Sequence, residues 1–318
     1  MLTVLMATRN RARILSEVLD SYGRLQPPSS GWKLVVVDNG STDETARVIG
    51  SFANRLPLHS VREPKLGKNF ALNTALGLVE GDLVVFTDDD AFPASDWLLQ
   101  LRKAADTQPG YSMFGGTIVP RWEAPPPSWI QWVELGPAYT LTNPALQEGP
   151  IEAPFLFGPN MAIRSDVFRS GIRLDPSIGP RGSSYPMGSE TELVLRLSRQ
   201  GHKSWHVHGA VVEHFIREKQ LKKSWVMQRV VRYGRGRYRL SVLAGESPKL
   251  FMGVPQYLFF DLFKKAVRIV LALMLFRPEA LFRSRWRFNY LRGQAIEARI
   301  LARERSAQTQ SAYHEVIH

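Results

Sequence analysis

The sequence predicts an α/β protein with a mostly parallel sheet and helices on both faces, followed by a basic helical extension. Three observations lead to this prediction. Strand-like and helix-like segments alternate through the first hundred residues, which is typical of parallel sheets with crossover helices. The strand-like segments are continuous apolar runs, as expected for strands buried on both faces. From about residue 217 onward the pattern is helical and basic.

The elements follow in order along the chain. Strands are predicted at 3–8, 33–38, 58–63 and 82–87, and helices at 12–22, from 41 or 42, at 68–78 and at 189–201. The run STDE resembles a capping box, which places the start of the second helix at Ser41 or Thr42. Residues 121–157 are rich in Pro and Trp and are predicted to be mainly loop.

Polar clusters follow three of the predicted strands. They are Thr8-Arg9-Asn10, the run DNGSTDE from Asp38, and the triplet Asp88-Asp89-Asp90 in FTDDDAF. Ligands of parallel sheets bind at the carboxyl ends of the strands. Three adjacent carboxylates repel one another unless a cation, a ribose or solvent compensates them. The sequence therefore predicts a polar ligand site at this edge of the sheet.

The positive charge is concentrated in the last third of the chain. Residues 1–216 carry 20 Lys and Arg against 22 Asp and Glu, whereas residues 217–318 carry 21 against 7. This asymmetry indicates a near-neutral body with a basic arm for an anionic surface. No nucleic-acid motif accompanies the arm. Cysteine is absent and Met1 leads directly into a strand, so we expect a cytoplasmic protein without disulfides.

Six motifs in order resemble the family 2 glycosyltransferases of the GT-A fold. They are TRN, VVVDNGSTDET, LGKNFALN, VVFTDDDAFP, FGPNMAIR and GSETEL, and together they cover roughly residues 1–215. The resemblance implies a Rossmann-like catalytic domain at 1–216, with a nucleotide-sugar half at about 1–118 and an acceptor half at about 119–216. The extension at 217–318 lies outside it. The Gln-x-x-Arg-Trp motif of processive members is missing, so a non-processive bacterial enzyme is expected.

The resemblance also implies donor and metal sites. Negative charge develops on the departing diphosphate, and a divalent ion offsets it. Hard carboxylate ligands suit Mg²⁺ or Mn²⁺. By the family pattern Asp90 binds the metal and Asp88 faces the ribose or the metal, and both point to one side if the triplet is extended. His214 is either a metal or diphosphate ligand or a histidine packed at a strand end. The residues expected at the donor are Thr8, Arg9, Asn10, Asp38, Lys68, Asp88, Asp89, Gly158 and Asn160.

The acceptor hydroxyl needs a base, and two acids compete for that role. The family places an acid at the start of the helix after a Gly-rich segment. Here GSETEL places Glu190 at that position, with Glu192 as the competitor. Two residues along a helix rotate by about 200°, so only one of these side chains can face the substrate.

Residues 257–276 form a helix-like segment with one charged side. Its charges are Asp261, Lys264, Lys265 and Arg268, which fall on one narrow face at about 100° per residue. This pattern favours a helix lying in a membrane interface with Lys264, Lys265 and Arg268 toward anionic headgroups. The alternative is that its apolar side packs on the catalytic domain or a second subunit.

The sequence thus predicts a metal-dependent, inverting hexosyltransferase. It would transfer one sugar from a nucleotide diphosphate sugar, foremost a UDP sugar, to a glycan or lipid-linked acceptor on the cytoplasmic face of a membrane. Two alternatives stay open: a nucleotidyltransferase, and a nucleotide-sugar-binding membrane protein without transferase activity. The sugar, the acceptor, the linkage and the oligomeric state lie beyond the sequence.

Overall fold

A computed structural model of the chain describes residues 1–182 and 184–317, with side chains as far as residue 307. The chain forms two compact units. The N-terminal unit consists of Met1–Ala124, Tyr139–Arg181 and Ser189–Arg217, and the C-terminal unit of Pro125–Ala138, Gly182–Gly188 and what is described from Glu218 onward. The division after residue 217 falls beside the predicted boundary after residue 216. Two short segments of the predicted catalytic domain belong to the C-terminal unit.

The strands of the N-terminal unit form one mixed sheet. They are β1 (Leu2–Thr8), β2 (Trp32–Asp38), β3 (Leu58–Arg62), β4 (Leu83–Asp88), β5 (Ala91–Pro93), β6 (Met113–Trp122), β7 (Gly149–Ile151), β8 (Met161–Arg164) and β9 (Ser204–Ile216). Their order is β3-β2-β1-β4-β8-β6-β9-β5, and β7 also pairs with β9. The long pairings are parallel, and the short pairings of β5, β7 and β8 are antiparallel. The predicted α/β class and mostly parallel sheet are confirmed.

The central strands are buried on both faces. Side chains from Leu2 to Met6 on β1 are inaccessible to solvent, as are Leu34–Val37 on β2 and Leu83–Val85 on β4. Each fully buried Val or Leu contributes about 1.5–3 kcal/mol. This burial explains the continuous apolar runs in the sequence, and it fixes the positions at which the three strands end.

Helices lie between these strands along the chain. Up to residue 199 they are α1 (Ala12–Tyr22), α2 (Thr45–Ser51), α3 (Lys68–Leu76), α4 (Trp97–Thr107), α5 (Leu135–Tyr139), α6 (Asp166–Arg169) and α7 (Ser189–Arg199). The apolar side of α1, including Leu15, Val18 and Leu19, is fully buried. The segment predicted to be loop at 121–157 carries α5, β7 and two short 3-10 turns, Ser128–Trp132 and Ala153–Phe155.

The start of α2 differs from the prediction. The helix begins at Thr45, and its polar run does not form a capping box. Asp43 Oδ1 instead accepts hydrogen bonds from the Thr45 amide at 3.0 Å and the Thr45 hydroxyl at 2.5 Å. Ser41 Oγ accepts from the Asn10 amide at 3.0 Å. The polar side chains therefore join two loops at the sheet edge, because a partner distant in sequence competes with the local cap.

The C-terminal unit is mainly helical. It contains α8 (Lys223–Leu243), a two-stranded hairpin of β10 (Leu250–Phe251) and β11 (Val254–Pro255), α9 (Gln256–Met274) and α10 (Pro278–Ile317). In the parts of the chain that the structure describes, no helix combines the length and apolar character needed to cross a membrane.

Helices α8 and α10 approach so closely that their backbones touch. A Cβ on Gly234 of α8 would lie 2.0 Å from the Tyr290 carbonyl oxygen, and a Cβ on Gly293 of α10 would lie 2.2 Å from that of Val231. One ion cluster joins the same two helices. Glu297, whose side chain is 0% exposed, accepts from the Nε atoms of Arg235 at 2.7 Å and Arg239 at 2.5 Å. This close crossing fixes the register of the two helices.

Candidate active site

Three strand ends meet at one edge of the N-terminal sheet. In the parallel register Thr8 of β1 lies beside Asp38 of β2, and Ala7 lies beside Asp88 of β4. The polar clusters that follow these strands are therefore neighbours. This is the edge at which parallel sheets bind ligands.

The acidic triplet is a turn rather than an extended segment. Asp88 is the last residue of β4, and Asp89 and Asp90 form the turn into β5. The triplet is therefore not extended, which was the condition for Asp88 and Asp90 to point to one side. Instead, Arg11 approaches both Asp89, at 3.7 Å, and Asp90, at 3.9 Å, whereas Asp88 contacts Lys68.

Asp89 belongs to the interior of the site. Its Oδ2 accepts a hydrogen bond of 2.7 Å from the Thr8 hydroxyl, which ties β1 to the turn. Burial, together with the adjacent charge of Asp90, raises the pKa of Asp89 to about 6. Two neighbouring carboxylates thus have pKa values pushed in opposite directions, since that of Asp90 is lowered.

Asp90 lies among cationic groups. Its Oδ2 is 3.1 Å from Arg217 Nη2, and its Oδ1 is 3.4 Å from His214 Nε2. Burial alone would raise the pKa of Asp90, but His214, Arg11 and Arg217 outweigh it and hold that pKa well below its usual range. Asp90 is therefore a carboxylate that is ionised at neutral pH.

His214 is oriented by a backbone carbonyl. Its Nδ1 lies 2.6 Å from the Tyr139 carbonyl oxygen, which can only accept, so Nδ1 carries a proton. Nε2 then faces Asp90. Burial would lower the pKa of His214, but the hydrogen bond and charge of Asp90 outweigh it and raise that pKa. A carboxylate facing a histidine nitrogen whose other nitrogen donates to the backbone is also the arrangement of many metal sites.

The donor set fits a metal that arrives with a phosphate ligand. Among the residues the structure describes, no three His, Cys, Asp or Glu side chains are grouped to hold an ion by themselves. Asp90 and His214 are the two side chains here that could act as ligands, since they lie 3.4 Å apart. Mg²⁺ typically uses one or two protein carboxylates and completes its shell with substrate phosphates and water. The two protein ligands thus match a site completed by a nucleotide diphosphate.

Lys68 connects the triplet to the predicted base. It begins α3, and its Nζ lies 2.5 Å from Asp88 Oδ1 and 2.6 Å from Glu190 Oε1. Burial would lower the pKa of Lys68, but the two carboxylates outweigh it and raise that pKa. Burial would likewise raise the pKa of Glu190, but Lys68 outweighs it and that pKa is lowered. The bridge favours the charged forms of Lys68 and Glu190.

The position of Glu190 depends on Gly158. A Cβ at Gly158 would lie 2.5 Å from Glu190 Oε1 and 2.7 Å from its Cγ. The glycine therefore provides the space that the carboxylate occupies. Glu192, by contrast, accepts two hydrogen bonds from Arg196 on the same helix, at 2.8 and 2.9 Å. The two acids of α7 have different partners, as their spacing predicts.

The loops after β1 and β2 are joined to each other. Asn10 adopts a left-handed backbone conformation with φ of 52° and accepts from the Thr42 amide at 2.8 Å. Asp38 accepts from the Ser41 amide at 2.9 Å. Arg9 is exposed beside them. These contacts place Asp38, Asn10 and Arg9 around one shallow part of the edge.

The structure differs from the prediction at Asn160. Its side chain is 0% exposed, and its amide nitrogen donates to the Thr117 and Ala210 carbonyls at 2.9 and 2.7 Å. Its oxygen accepts from Trp97 Nε1 at 2.8 Å. All of this bonding capacity serves the packing of the sheet against α4, so Asn160 supports the fold behind the site rather than facing a donor sugar.

Sequence reasoning missed two arginines. Arg11 lies three residues after Thr8, and Arg217 lies three residues after His214. Their separation of more than two hundred residues conceals that both contact Asp90. The available signal was that each arginine closely follows a strand end already predicted to carry the site. Lys264, Lys265 and Arg268 lie elsewhere, on α9 of the C-terminal unit.

The family model for Glycosyl transferase family 2 matches residues 3–171. A related protein is the glucosyl-dolichyl phosphate glucuronosyltransferase of Haloferax volcanii, 26% identical over 200 residues. The match covers 62% of this chain and 63% of that relative. The chain thus spans less than two thirds of the length of this relative.

Two solved structures share the fold. The mannosyltransferase PcManGT from Pyrobaculum calidifontis, in complex with GDP-Man and Mn²⁺, superposes with a TM-score of 0.63 at 20% identity, covering 93% of this chain and 86% of that one. TarS 1-349 from S. aureus, in complex with UDP-GlcNAc, gives a TM-score of 0.52 at 14% identity and covers 92% and 90%. These likenesses confirm the GT-A architecture.

Proposed function

The chain belongs to glycosyl transferase family 2, and on that premise we propose that it is a non-processive hexosyltransferase that uses a nucleotide diphosphate sugar. One observation carries the proposal. The half-buried Lys68 bridges Asp88, the last residue of β4, and Glu190 of α7. Of the two acids predicted as base, Glu190 is the one that makes this contact. The groups proposed to bind the nucleotide and to accept the proton therefore share one edge of the sheet.

The donor is proposed to bind across the three strand ends. Asp38, Asn10 and Arg9 surround the place of the nucleoside, with Asp88 at the ribose. Arg11, Arg217 and Lys68 then surround the diphosphate, whose charge each of them complements. We propose a UDP sugar as the donor.

A divalent ion, Mn²⁺ or Mg²⁺, is proposed to be held by Asp90 and His214 with Asp88 nearby. When bound, it supplies Lewis-acid stabilisation of the charge on the departing diphosphate. The chain contributes a carboxylate that stays ionised and a histidine whose Nδ1 proton is fixed by the Tyr139 carbonyl. Among known relatives in fold, one was solved with Mn²⁺ and GDP-Man.

Glu190 is proposed as the base of an inverting displacement. The acceptor oxygen forms a bond to the anomeric carbon as the bond to the diphosphate breaks, and the hydroxyl proton passes to Glu190. A base works best with a pKa near the operating pH, whereas Lys68 lowers that of Glu190. A bound diphosphate competes for Lys68, so donor binding would loosen the ion pair and make Glu190 a better base.

The acceptor is proposed to be a glycan or a lipid-linked molecule at the cytoplasmic face of a membrane. The charge of the last third of the chain supports an anionic surface as its partner. One relative is named for action on a dolichyl phosphate. We propose no nucleic-acid partner.

Calorimetry with UDP, GDP and dTDP, each with and without Mn²⁺, tests the donor site. We expect UDP to bind and the ion to tighten binding at least about tenfold, because a cation would screen the carboxylates from the diphosphate. Binding of none of the three by the folded chain would refute the nucleotide site. Tighter binding of GDP or dTDP would keep the site and reject the UDP assignment.

Turnover separates an enzyme from a binding protein. Glu190→Gln should retain nucleotide binding and lose release of nucleotide diphosphate from the donor sugar. If the unaltered chain binds the nucleotide but releases none with a range of lipid and glycan acceptors, the binding-protein alternative is favoured. Formation of pyrophosphate from a nucleoside triphosphate and a sugar phosphate would instead indicate a nucleotidyltransferase.

A further inference from the structure

Helix α9 exposes a continuous apolar stripe. We define the α9 stripe as Phe259, Phe260, Phe263, Val267, Val270, Leu271 and Met274, all of which are exposed. At about 100° per residue they fall within one face of the helix. Phe263 is 66% exposed and Met274 is 70% exposed. Contiguous exposed apolar surfaces of this kind mark interaction sites.

The exposed apolar surface extends beyond both ends of the helix. At one end the Phe251 ring of the hairpin packs edge-on against Phe259, with centroids 5.8 Å apart, and Met252 at the hairpin tip is 76% exposed. At the other end Phe276, in a left-handed conformation at the corner before α10, is 91% exposed. A helix of 19 residues is about 28 Å long, so the surface runs the length of α9.

The opposite side of α9 is the side that the protein covers. Leu258 and Ala272 are its buried residues, and Asp261 and Lys265 beside them are half-buried. This revises the predicted orientation, in which Lys264, Lys265 and Arg268 all pointed toward headgroups. Part of the charged side lies against the protein, and the apolar side is open.

Cations border the stripe. Lys264 and Arg268 are exposed next to it, and Lys264 Nζ lies 3.8 Å above the Phe260 ring. Long cationic side chains at the edge of an apolar surface can reach headgroups while their stems stay in apolar surroundings. At the corner, Arg277 and Arg283 line a groove of about 540 Å³ together with Phe276 and Trp132.

We infer that the α9 stripe, the hairpin tip and the Phe276 corner insert into the acyl boundary of a bilayer with anionic headgroups. Lys264, Arg268 and Arg277 then lie at headgroup level. A second copy of the same surface would bring its own positive rim against this one, whereas anionic lipid complements it. This inference rests on the proposed membrane location and not on the proposed chemistry.

Vesicle sedimentation of the full-length chain tests the inference. The probes are phosphatidylcholine vesicles with and without phosphatidylglycerol, in low and high salt. We expect binding to the anionic vesicles that weakens with salt. The double variant Phe263→Ser with Val267→Ser should bind at least about tenfold more weakly, because two side chains lose their apolar burial. Lys264→Gln with Arg268→Gln should lose most of the preference for anionic lipid.

A matched control is available in the N-terminal unit. Phe155 is 56% exposed, against 66% for Phe263. Phe155→Ser therefore removes a comparably exposed phenylalanine, and this variant should bind vesicles like the unaltered chain. Failure of the unaltered chain to bind the anionic vesicles would overturn the inference. So would equal weakening by Phe155→Ser and the double variant. If the double variant instead converts a dimer to a monomer and no vesicle binding occurs, the surface is an interface between copies.

The depth to which α9 enters the bilayer can be measured with a single labelled cysteine, because the chain has no cysteine of its own. A single Val267→Cys variant carrying an environment-sensitive fluorophore should shift to the blue on anionic vesicles and be quenched by nitroxide lipids. Phe155→Cys, labelled in the same way, should not respond. Calorimetry of nucleotide binding without vesicles is independent of both results. If the unaltered chain binds nucleotide but does not bind vesicles, this inference is rejected and the proposed transferase function is unaffected.

Discussion

Two carboxylates in the molecule each lie between two arginines, and they differ in how tightly they are enclosed. In the C-terminal unit, Glu297 is 0% exposed and contacts Arg235 and Arg239 at 2.7 and 2.5 Å. At the sheet edge of the N-terminal unit, Asp90 has contacts of 3.1 Å to Arg217 and 3.9 Å to Arg11. The first set joins two helices that touch, and the second joins a loop, a turn and a strand end.

The difference distinguishes the structural ion cluster at Glu297 from the cluster at Asp90 that we propose binds the donor. Both oxygens of Glu297 are satisfied by short bonds, so a ligand has nothing to gain there. Arg11 keeps a third of its side-chain surface exposed, and its contacts are long enough to be exchanged for a phosphate. A functional charge cluster is therefore recognised by incomplete pairing and remaining access, and not by residue types alone. Each of the following predictions tests one side of this comparison.

The largest effect is expected at Asp90. Asp90→Asn removes the ionised carboxylate proposed to hold the metal, and the lost stabilisation of several kcal/mol corresponds to a fall in kcat on the order of 10³-fold. The urea midpoint should change little, because Arg11 retains access to water. Steady-state turnover and urea unfolding measure the two effects. Glu80→Gln, which removes a 58% exposed carboxylate, is the control, and wild-type turnover by Asp90→Asn would contradict the metal role.

The next effect distinguishes the two acids of α7. Glu190→Gln should lower kcat about 10²-fold or more, as expected for loss of a general base. Glu192→Gln removes only a partner of Arg196 and should stay within a few-fold of wild type. Parallel kinetics on the two variants is the measurement. Equal losses would indicate a role for α7 as a whole rather than for one carboxylate.

For the enclosed cluster at Glu297 we expect the opposite of Asp90, namely a large loss of stability. Glu297→Gln leaves two poorly compensated arginines and should lower the free energy of unfolding by about 3 kcal/mol or more. Glu304, which lies 4.0 Å from Arg239 and is 54% exposed, provides the matched control, since Glu304→Gln should cost less than about 0.5 kcal/mol. Urea unfolding of both variants tests this. A small loss of stability in Glu297→Gln would indicate that the Glu297 cluster resembles the loosely paired cluster at Asp90.

The smallest predicted effect concerns the space that Gly158 leaves for the Glu190 side chain. Gly158→Ala places a methyl group where Glu190 now lies and should lower kcat about tenfold by displacing the base from its optimal position. Gly50→Ala is the control, because a Cβ there meets nothing within 4 Å. The measurement is kcat together with KM for the donor. An unaltered kcat would show that Glu190 tolerates a shift and that its bridge to Lys68 is not part of the active geometry.

Much of the N-terminal unit could be predicted from the sequence because its signals are local. Helix α1 was predicted at its observed bounds, and β1, β2 and β4 were placed within one or two residues. Their apolar runs are set by burial on both faces, which leaves little ambiguity. The strand-end clusters were correctly placed together, since parallel register brings strand ends to one edge.

The rest depended on contacts that no local pattern encodes. The STDE run reads as a helix cap, yet Ser41 and Thr42 bond to Asn10 instead. The triplet reads as a strand, yet its last two residues turn toward Arg11. The hairpin before α9 has strands of two residues, which are too short to show a periodic pattern of apolar residues in the sequence. The roles of the individual site residues stay predictions, for the geometry shows neighbours and not a reaction.

The backbone contact between α8 and α10 has a mechanical consequence. Gly234 and Gly293 are reciprocal: each lies against a carbonyl of the other helix at a distance that admits only hydrogen. Sliding either helix by one residue would drive a side chain into a carbonyl, so the pair resists shear. A force applied along α10 therefore moves α8 with it, because the two helices cannot slide past each other. The two helices behave as one rigid body, and we expect them to separate in a single step under force.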